Sequence, residues 1–448
     1  MTQSDRAEAA VARLTDSAFA AAMAPFAISD HAHIAVAVSG GPDSIALLRL
    51  LQVWAVPRGI RLTALTVDHR LRAAAADEVR QVAQWCADLG IAHAALRWDE
   101  GAALIGVGRS PQAEARDARY RLMGAWCRAE GVAVLCLAHH ADDQVETFLM
   151  RLARGSGVDG LAAMLPETTR HGVRLLRPLL QVSKDALRAT CTALGQAWIE
   201  DPSNQNTAAT RVRFRQARAL LAAEGLDDTR LLRTVSHMQR AREALRRAVE
   251  ALLLRICHWD DYGVARIELA GLVQAADDVG LRALASVLCT ASGAVYAPRF
   301  ERLERVYRAL RNGPWRDATL HGCGIFRVGG DILICRETAA IVAETETEIV
   351  PGTEAVWDGR FEIALSPAAP TPVRIVAAGD WATAARAPQV ARAARGSLPL
   401  VIDGAGPLCL APFPDSLRED AKGAWDHKIV CRFHAASHVV ELQPFPEM

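Results

Sequence analysis

The sequence predicts an α/β domain with a parallel sheet, followed by a helical domain and a small C-terminal α+β domain. Three observations predict the first domain. Apolar runs of strand length alternate with helical stretches over residues 34–195, a Gly-rich turn follows the first run, and polar clusters follow later runs. Such alternation indicates right-handed βαβ units, whose ligands bind beyond the carboxyl ends of the strands.

The apolar pattern predicts each element in turn. The predicted strands of the first domain are 34–38, 61–68, 91–98, 132–138 and 175–180. Its predicted helices are one within 1–30 and those at 45–54, 77–89, 111–130, 142–153 and 183–195. Further along, helices are predicted at 230–257, 268–291 and 299–311, and short strands at 332–334, 361–365, 373–376 and 398–402.

The length of 448 residues suits two or three domains of about 150 residues each. We assign residues 1–218 to the α/β domain, 219–336 to a mainly helical domain and 350–448 to the small C-terminal domain. The stretch 337–352 is rich in glutamate and has no aromatic residue, so we interpret it as a linker.

Composition limits the classes of function. The chain has 51 basic and 51 acidic residues, so a nucleic-acid surface would have to be a local patch. Its ten cysteines are scattered without a C-x-x-C pair, which argues against a disulfide framework, an iron–sulfur site or structural zinc. The sequence has neither a signal peptide pattern nor an uncharged apolar stretch of about 18 residues. We therefore expect a cytoplasmic protein with no membrane partner.

The Gly-rich turn Ser39-Gly40-Gly41-Pro42-Asp43-Ser44 lies between the first predicted strand and its helix. Backbone N–H groups at a helix N-terminus hold phosphates, which predicts nucleotide binding. The turn is not a Walker A loop, because the G-x-x-x-x-G-K-[ST] pattern is absent. The alternative is that Gly40 and Gly41 only allow a tight turn. Two serines and an aspartate in the same turn favour phosphate and metal.

The segment AHHADDQVET follows the fourth predicted strand and contains two histidines and three carboxylates. Asp143 and Glu146 are three residues apart and share a helix face. Alternatively, Asp142 or Asp143 is an N-cap and Glu146 completes a capping box. His139 and His140 are not needed for such a cap, which favours a chemical role. The H-E-x-x-H pattern of hydrolytic zinc sites is absent.

Two groups of arginines are candidates for contacts with phosphate. Arg119 lies with Arg116 on one face of a predicted helix, where a solvated face is the alternative. Arg211, Arg213 and Arg215 alternate along the chain, which predicts an extended segment with all three on one side. The stretches 211–250 and 299–316 also carry more arginines than acidic residues. They are the predicted RNA surface, with a solvated basic helix as the alternative.

Together these motifs resemble the tRNA(Ile)-lysidine synthases of the PP-loop (N-type) ATP pyrophosphatase superfamily. The resemblance rests on seven blocks in the order of that family: SGGPDS, VDHRLR, Arg119-Tyr120, AHHADDQVET, RGSGVDGL, RPLL and DPSN. It is strong over residues 34–215, returns at LHGC (320–323) and is faint after residue 350. It implies that the first domain is a Rossmann-like PP-loop ATP pyrophosphatase domain and that the domain 219–336 binds tRNA.

The resemblance implies a ligase that forms a carbon–nitrogen bond. Such an enzyme uses ATP and Mg²⁺ to join free L-lysine to the wobble cytidine of a tRNA(Ile) with a CAU anticodon. The reaction passes through an adenylated cytidine and releases pyrophosphate and AMP, and the resemblance is compatible with a homodimer. A tRNA cytidine thiolase of the same superfamily is an alternative, although its paired cysteines are missing here. A non-catalytic module that binds ATP or RNA is another.

The resemblance also implies roles for particular residues. The loop residues Ser39, Gly40, Gly41, Pro42, Asp43 and Ser44 bind the pyrophosphate part of ATP, and Asp43 binds Mg²⁺ or orients the loop.

The remaining roles belong to later parts of the chain. Arg119 and Arg211 contact the α-phosphate, the adenylate or the RNA. His139 polarises the reacting groups, while Asp143 and Glu146 bind the lysine ammonium. The implied catalytic residues are thus Asp43, Arg119, His139 and Asp143. Whether Asp68 and His69 contact the nucleotide stays open.

Overall fold

The computed structural model describes residues 11–68, 75–99, 111–170, 172–200, 210–341, 346–381, 390–413, 416, 419–425 and 427–433. The chain divides into two units, one up to Arg242 and one from Glu243 onward. Within the described ranges, no helix is both long enough and apolar enough to cross a membrane. The domain boundaries drawn from the sequence at residues 218, 336 and 350 stay predictions.

A six-stranded sheet forms the centre of the first unit. Its strands are β1 (His33–Ala37), β2 (Arg61–Asp68), β3 (Ala92–Arg97), β4 (Val134–Cys136), β5 (Glu167–Arg170) and β6 (Val173–Leu176). They lie in the order β3-β2-β1-β4-β6-β5. All neighbours are parallel except β5, which pairs antiparallel with β6. The predicted parallel sheet is therefore confirmed.

Helices cover both faces of this sheet. The helices of the first part of the chain are α1 (Asp16–Met23), α2 (Pro42–Ala55), α3 (Ala75–Asp88), α4 (Pro111–Ala129), α5 (Ala141–Leu152), α6 (Val158–Leu161), α7 (Lys184–Ala193), α8 (Thr210–Ala223) and α9 (Asp228–Ile256). Along β1, Ile34 and Val36 pack into a cluster with α1, α2, α3 and α7, whereas Ala35 packs into a cluster with α4. Successive side chains of a strand point to opposite faces, so β1 is buried from both sides.

The order of the strands places the site. From β1 the chain adds β2 and β3 on one side of the sheet and then returns to add β4 on the other side of β1. This reversal between β1 and β4 is a topological switch point, where parallel α/β sheets form a crevice beyond their carboxyl ends. The segment after β1 begins at Val38 and the segment after β4 begins at Leu137, so both loops open into this crevice.

The expected extended segment at Arg211–Arg215 is wrong, because the backbone is helical from Thr210. Phe214 and Leu221, which are seven residues apart, both pack against a cluster that includes residues of α5. That helical spacing of apolar contacts outweighs the alternation of arginines. Positions 211 and 215 share a helix face and position 213 does not. The side chains of these three arginines lie outside the described residues.

The second unit contains three antiparallel sheets. Its further helices are α10 (Leu269–Gln274), α11 (Asp277–Ser292), α12 (Phe300–Asn312) and α13 (Arg392–Arg395). The strands are β7 (Cys257–Trp259), β8 (Ala265–Glu268), β9 (Ala318–Leu320), β10 (Cys323–Val328), β11 (Asp331–Arg336), β12 (Thr347–Ile349), β13 (Glu354–Trp357), β14 (Phe361–Leu365), β15 (Val373–Ala377), β16 (Pro399–Asp403), β17 (Gly406–Leu410) and β18 (Ile429–Phe433). The sheet orders are β7-β8-β11-β10-β9, β12-β15-β16-β17 and β13-β14-β18.

Two predictions for the second unit are wrong. The single helix predicted at 268–291 is two helices, because Ala275 and Ala276 are extended and Asp277 begins a new acidic first turn. The predicted linker at 337–352 contains β12, which pairs with β15 and buries Ile349. Strand β12 is therefore part of the C-terminal core.

Candidate active site

The turn after β1 has a conformation that requires glycine at position 40. Gly40 has φ +87°, and a Cβ on it would lie 2.8 Å from Cδ1 of Ile199. The Ile199 N–H also donates to the Gly40 carbonyl at 2.9 Å. Gly41 then caps α2, with Pro42 in the first turn, where its missing N–H has no cost. The chain after α7 therefore packs against the predicted phosphate loop at Gly40 and supports its conformation.

The hydroxyl of Ser44 shapes the same loop from within. Ser44 is 5% exposed, and its Oγ donates to the Gly41 carbonyl at 3.0 Å and accepts from the Ser39 N–H at 3.1 Å. The Ser39 Oγ lies 3.3 Å from the same oxygen and is at the exposed side of the loop. Of the two serines, Ser39 is thus the one whose hydroxyl lies nearer solvent.

The helix that begins after β4 is capped differently from the expected capping box. His140 is the N-cap of α5, and its N–H donates to Asp143 Oδ2 at 3.1 Å. The alternative with Asp142 or Asp143 as N-cap is therefore wrong by two or three positions. Asp143 keeps a partly exposed side chain, whereas Glu146 is 1% exposed. Only Asp143 of this predicted lysine-binding pair offers its carboxylate to solvent.

His140 brings three carboxylates together. Its Nε2 lies 3.4 Å from Asp43 Oδ2 and 3.5 Å from Asp143 Oδ2, and its Nδ1 lies 3.6 Å from Asp142 Oδ2. Burial by itself would lower the pKa of His140. The contacts with Asp142 and Asp43 and the charge of Asp143 outweigh burial and raise this pKa to about 10. The imidazole is therefore a buried cation at neutral pH, and it joins the phosphate loop to α5.

Asp142 is held on its other side by two further groups. The Lys184 N–H donates to its Oδ2 at 2.9 Å, and Arg218 Nη1 donates to its Oδ1 at 2.7 Å. Burial would raise the pKa of Asp142, but its contacts with His140, the Lys184 N–H and Arg218 hold that pKa well below its usual range. This carboxylate is therefore ionised throughout the physiological range.

The other predicted site residues lie on different elements of the first unit. His139 is partly exposed at the carboxyl end of β4, next to His140. Arg119 is exposed on α4. Asp68 ends β2 and is partly exposed, whereas His69 lies outside the described residues. The side chain of Arg211, as noted above, is not described either.

The neighbour of Arg119 explains why arginines crowd this helix. Tyr120 is 7% exposed, and the guanidinium groups of Arg116 and Arg170 lie 5.6 and 4.6 Å from the centre of its ring. Arg170 also donates to Asp117 at 2.8 Å. Arg116 and Arg170 are thus partly engaged in stacking on a buried tyrosine, and this cluster is partly structural.

Asp43 offers one fitting oxygen for the Mg²⁺ that the resemblance implies. Its Oδ1 is buried and accepts no hydrogen bond from the residues that the structure describes. Among those residues, no group of three or more His, Cys, Asp or Glu side chains could hold a metal ion. Mg²⁺ is often bound by one or two carboxylates together with phosphates of a substrate. Asp43 fits that arrangement, in which the nucleotide supplies the remaining ligands.

Comparisons with known proteins identify the family of this chain. The family described as the PP-loop domain matches residues 10–221. A tRNA(Ile)-lysidine synthase from Ruegeria pomeroyi is 42% identical over 75% of this chain and 78% of its own length. The chain belongs to the tRNA(Ile)-lysidine synthase family. A tRNA(Ile)-lysidine synthase from Methylobacterium nodulans is 37% identical over 68% of this chain and 90% of its own length. One from Wolbachia pipientis is 34% identical over 73% of this chain and 76% of its own length.

Within the tRNA(Ile)-lysidine synthase family, the predicted ATP-using PP-loop domain and ligase class are confirmed. His140 is the residue of the site that sequence reasoning undervalued. His139 and His140 are adjacent, so the sequence alone gave both the same possible role. Each has an aspartate three residues later, Asp142 for His139 and Asp143 for His140, so the spacing of a helix cap and its N3 partner does not separate them.

Proposed function

We propose that this chain joins free L-lysine to the wobble cytidine of a tRNA(Ile) with a CAU anticodon, with ATP as the source of energy. One observation carries the proposal: at the switch point of the PP-loop sheet, His140 links Asp43 of the phosphate loop to Asp143 of α5. A group that binds nucleotide phosphates and a carboxylate suited to an amine thus lie in one crevice. The reaction belongs in the cytoplasm, where tRNA, ATP and free lysine are available.

The chemistry requires two displacements. The ring carbonyl oxygen of cytosine attacks the α-phosphorus of ATP, and the bond to pyrophosphate breaks. The ε-amine of lysine then attacks the adenylated ring carbon, AMP leaves with the former carbonyl oxygen, and the amine loses a proton. The first step needs a cradle for pyrophosphate, and the second needs a group that docks and deprotonates an amine.

The loop 39–44 supplies the cradle. Its backbone N–H groups and the N-terminus of α2 suit the negative charge that develops on pyrophosphate. Bound Mg²⁺ would spread that charge, with Asp43 among its ligands. Arg119 and Arg211 are proposed to contact the α-phosphate, the adenylate or the RNA.

Asp143 is the proposed docking group for the lysine ammonium. Its side chain is 20% exposed and its Oδ2 already accepts the His140 N–H, which fixes the orientation of the carboxylate. Glu146 lies one turn further along α5 and is buried, so it reaches lysine only if its side chain moves. His139, at the carboxyl end of β4, is proposed to polarise the reacting groups.

The cysteines favour the ligase over the thiolase alternative. All ten are free, nine are buried, and Cys431 is partly buried. Burial raises the pKa of Cys136 to about 12 and that of Cys191 to about 11. Catalytic thiols instead have lowered pKa values and partial exposure.

The test is an assay of pyrophosphate release with ATP, Mg²⁺, a tRNA(Ile) transcript with a CAU anticodon and a panel of free amino acids. We expect pyrophosphate with this tRNA and a stable product only with lysine. A transcript with uridine at the wobble position is the matched control and should give neither. Release that is independent of tRNA, or a product with another amino acid, would contradict the proposal. Sedimentation of the purified protein tests the homodimer.

A further inference from the structure

Arg218, in the second half of α8, bridges the first turns of two other helices. Its Nη1 donates to Asp142 Oδ1 at the start of α5 at 2.7 Å. Its Nε donates to Asp228 Oδ1 at the start of α9 at 3.2 Å, and its Nη2 contacts the other oxygen of Asp228. The Arg218 side chain is 22% exposed, as sheltered from solvent as Asp142 at 21%. It is therefore better shielded than an ordinary surface ion pair.

The bridge continues into the site through Asp142. Arg218 holds Oδ1 of this carboxylate, while Oδ2 faces His140 and accepts the Lys184 N–H. His140 in turn contacts Asp43 and Asp143. A continuous series of charged groups thus runs from α9 through α8 and the start of α5 to the phosphate loop.

The attachment of α8 does not depend on this bridge. Phe214 and Leu221 of α8 pack against an apolar cluster that includes Val145, Phe148 and Leu149 of α5. Loss of the Arg218 guanidinium would leave these apolar contacts in place. What it removes is the directional contact that fixes Asp142, because hydrophobic packing is not directional.

We propose that Arg218 is a positioning residue: through Asp142 and His140 it sets the placement of Asp43 and Asp143 for adenylation and amine attack. This inference rests on the proposed function. Arg218 contacts neither substrate nor nucleotide in this role. It ties the start of α9, where the predicted tRNA-binding region lies, to the reacting end of the sheet. A guanidinium suits the task because its planar fork can engage two carboxylates, which a lysine cannot match.

The first experiment compares the steady-state kinetics of pyrophosphate release for three single variants and one double variant. For Arg218→Ala we expect kcat to fall roughly 10- to 100-fold with KM for ATP nearly unchanged, since misplacement of reacting groups by about an ångström has effects of that size. Arg218→Lys should recover only part of the loss. Asp142→Asn should resemble Arg218→Ala, and the double variant should lose little more than either single variant, because both break the same series.

The control is Arg58→Ala. Arg58 pairs with Asp30 at 3.1 Å, and both precede strands at the amino edge of the same sheet, away from the crevice. Its kcat should equal that of the wild type. A wild-type kcat for Arg218→Ala, or a loss confined to the KM for ATP, would overturn the inference.

Hydrogen exchange separates this inference from the proposed function. Amides 141–147 at the start of α5 should exchange faster in Arg218→Ala than in the wild type, and at the wild-type rate in Arg58→Ala. Circular dichroism should show that both variants are folded. If the wild type released no pyrophosphate, the proposed function would fail, and exchange would still decide the positioning role. Unchanged exchange in Arg218→Ala would refute that role, whatever the activity.

Discussion

The two units each contain a buried cluster of charged groups, and the clusters differ in how tightly their members are paired. In the second unit, Arg336 and Arg360 both contact Asp358, with donor–acceptor distances of 2.7 to 3.1 Å. Arg360 is 1% exposed and also donates to the Ser397 carbonyl at 2.6 Å. Two cations thus enclose one anion.

The cluster at the crevice of the first unit has the opposite balance. Three carboxylates face the imidazolium of His140 at longer distances of 3.4 to 3.6 Å, and Asp142 also accepts from Arg218 at 2.7 Å. Asp43 and Asp143 remain 24% and 20% exposed, and Asp43 keeps a buried oxygen without a hydrogen bond from the described residues. A cluster that serves stability satisfies its own members. The excess of negative charge and unused acceptors at the crevice is what a site for metal and amine requires.

The largest expected effect on activity comes from a change of Asp43, whose Oδ1 accepts no hydrogen bond from the described residues. Asp43→Asn keeps the size of the side chain and removes its charge, so we expect pyrophosphate release to fall by about 10²- to 10³-fold, as when a group that stabilises transition-state charge is lost. The measurement is single-turnover release with saturating tRNA and lysine. Full activity of this variant would refute the role of Asp43.

A change in the cluster around Asp358 should affect stability rather than activity. Asp358→Asn leaves two buried arginines without their anion, and breaking a buried ion pair in this way costs about 3–5 kcal/mol of the free energy of unfolding. Asparagine tolerates the left-handed backbone at this position, where φ is +48°. Urea denaturation measures the change, with Asp317→Asn, at an exposed position before β9, as control. A loss below about 1 kcal/mol would show that the arginines find other partners.

Asp143→Ala should weaken the binding of lysine without weakening the binding of ATP. Removal of a docking carboxylate should raise the KM for lysine by roughly 10- to 100-fold, the usual worth of a charge-assisted hydrogen bond, with the KM for ATP nearly unchanged. Glu146→Gln, at the buried position, should change the KM for lysine less. The lysine-binding role of Asp143 would be wrong if its variant raised only the KM for ATP.

The last prediction concerns the dependence of stability on pH. The pKa of His140 is raised from 6.5 to about 10 in the folded protein. Its pairing therefore stabilises the fold fully below about pH 6.5, and this contribution is lost as pH rises towards 10. The free energy of unfolding of the wild type should thus converge with that of His140→Gln between these pH values. A difference that does not depend on pH would show that His140 is neutral when folded.

The sequence predicted the first unit far better than the second. Strand β1 is buried on both faces and four of its five residues are apolar, so its pattern is plain. Strand β5 reads Glu-Thr-Thr-Arg and has no apolar residue, so only its pairing with β6 defines it. In the second unit, β7 follows directly on α9, and periodicity alone could not separate the two.

The candidate site was predictable as a location and less so as a geometry. The loop 39–44 and the segment after β4 each follow a strand, which is enough to bring them to one edge. The choice of His140 over His139 depends on which ring faces Asp43 across the switch point, and that contact joins residues far apart in sequence. Arg218 lies still further along the chain and belongs to none of the motifs.

The buried cysteines can report which part of the protein unfolds first, because a buried thiol reacts with a reagent only after it becomes exposed. Four lie in the first unit (Cys86, Cys127, Cys136 and Cys191) and six in the second (Cys257, Cys289, Cys323, Cys335, Cys409 and Cys431). A thiol reagent added to the folded protein should react slowly, since nine of the sulfurs are buried and burial raises their pKa. With peptide mapping, the order in which cysteines become modified during denaturation would report which unit opens first, without any added label.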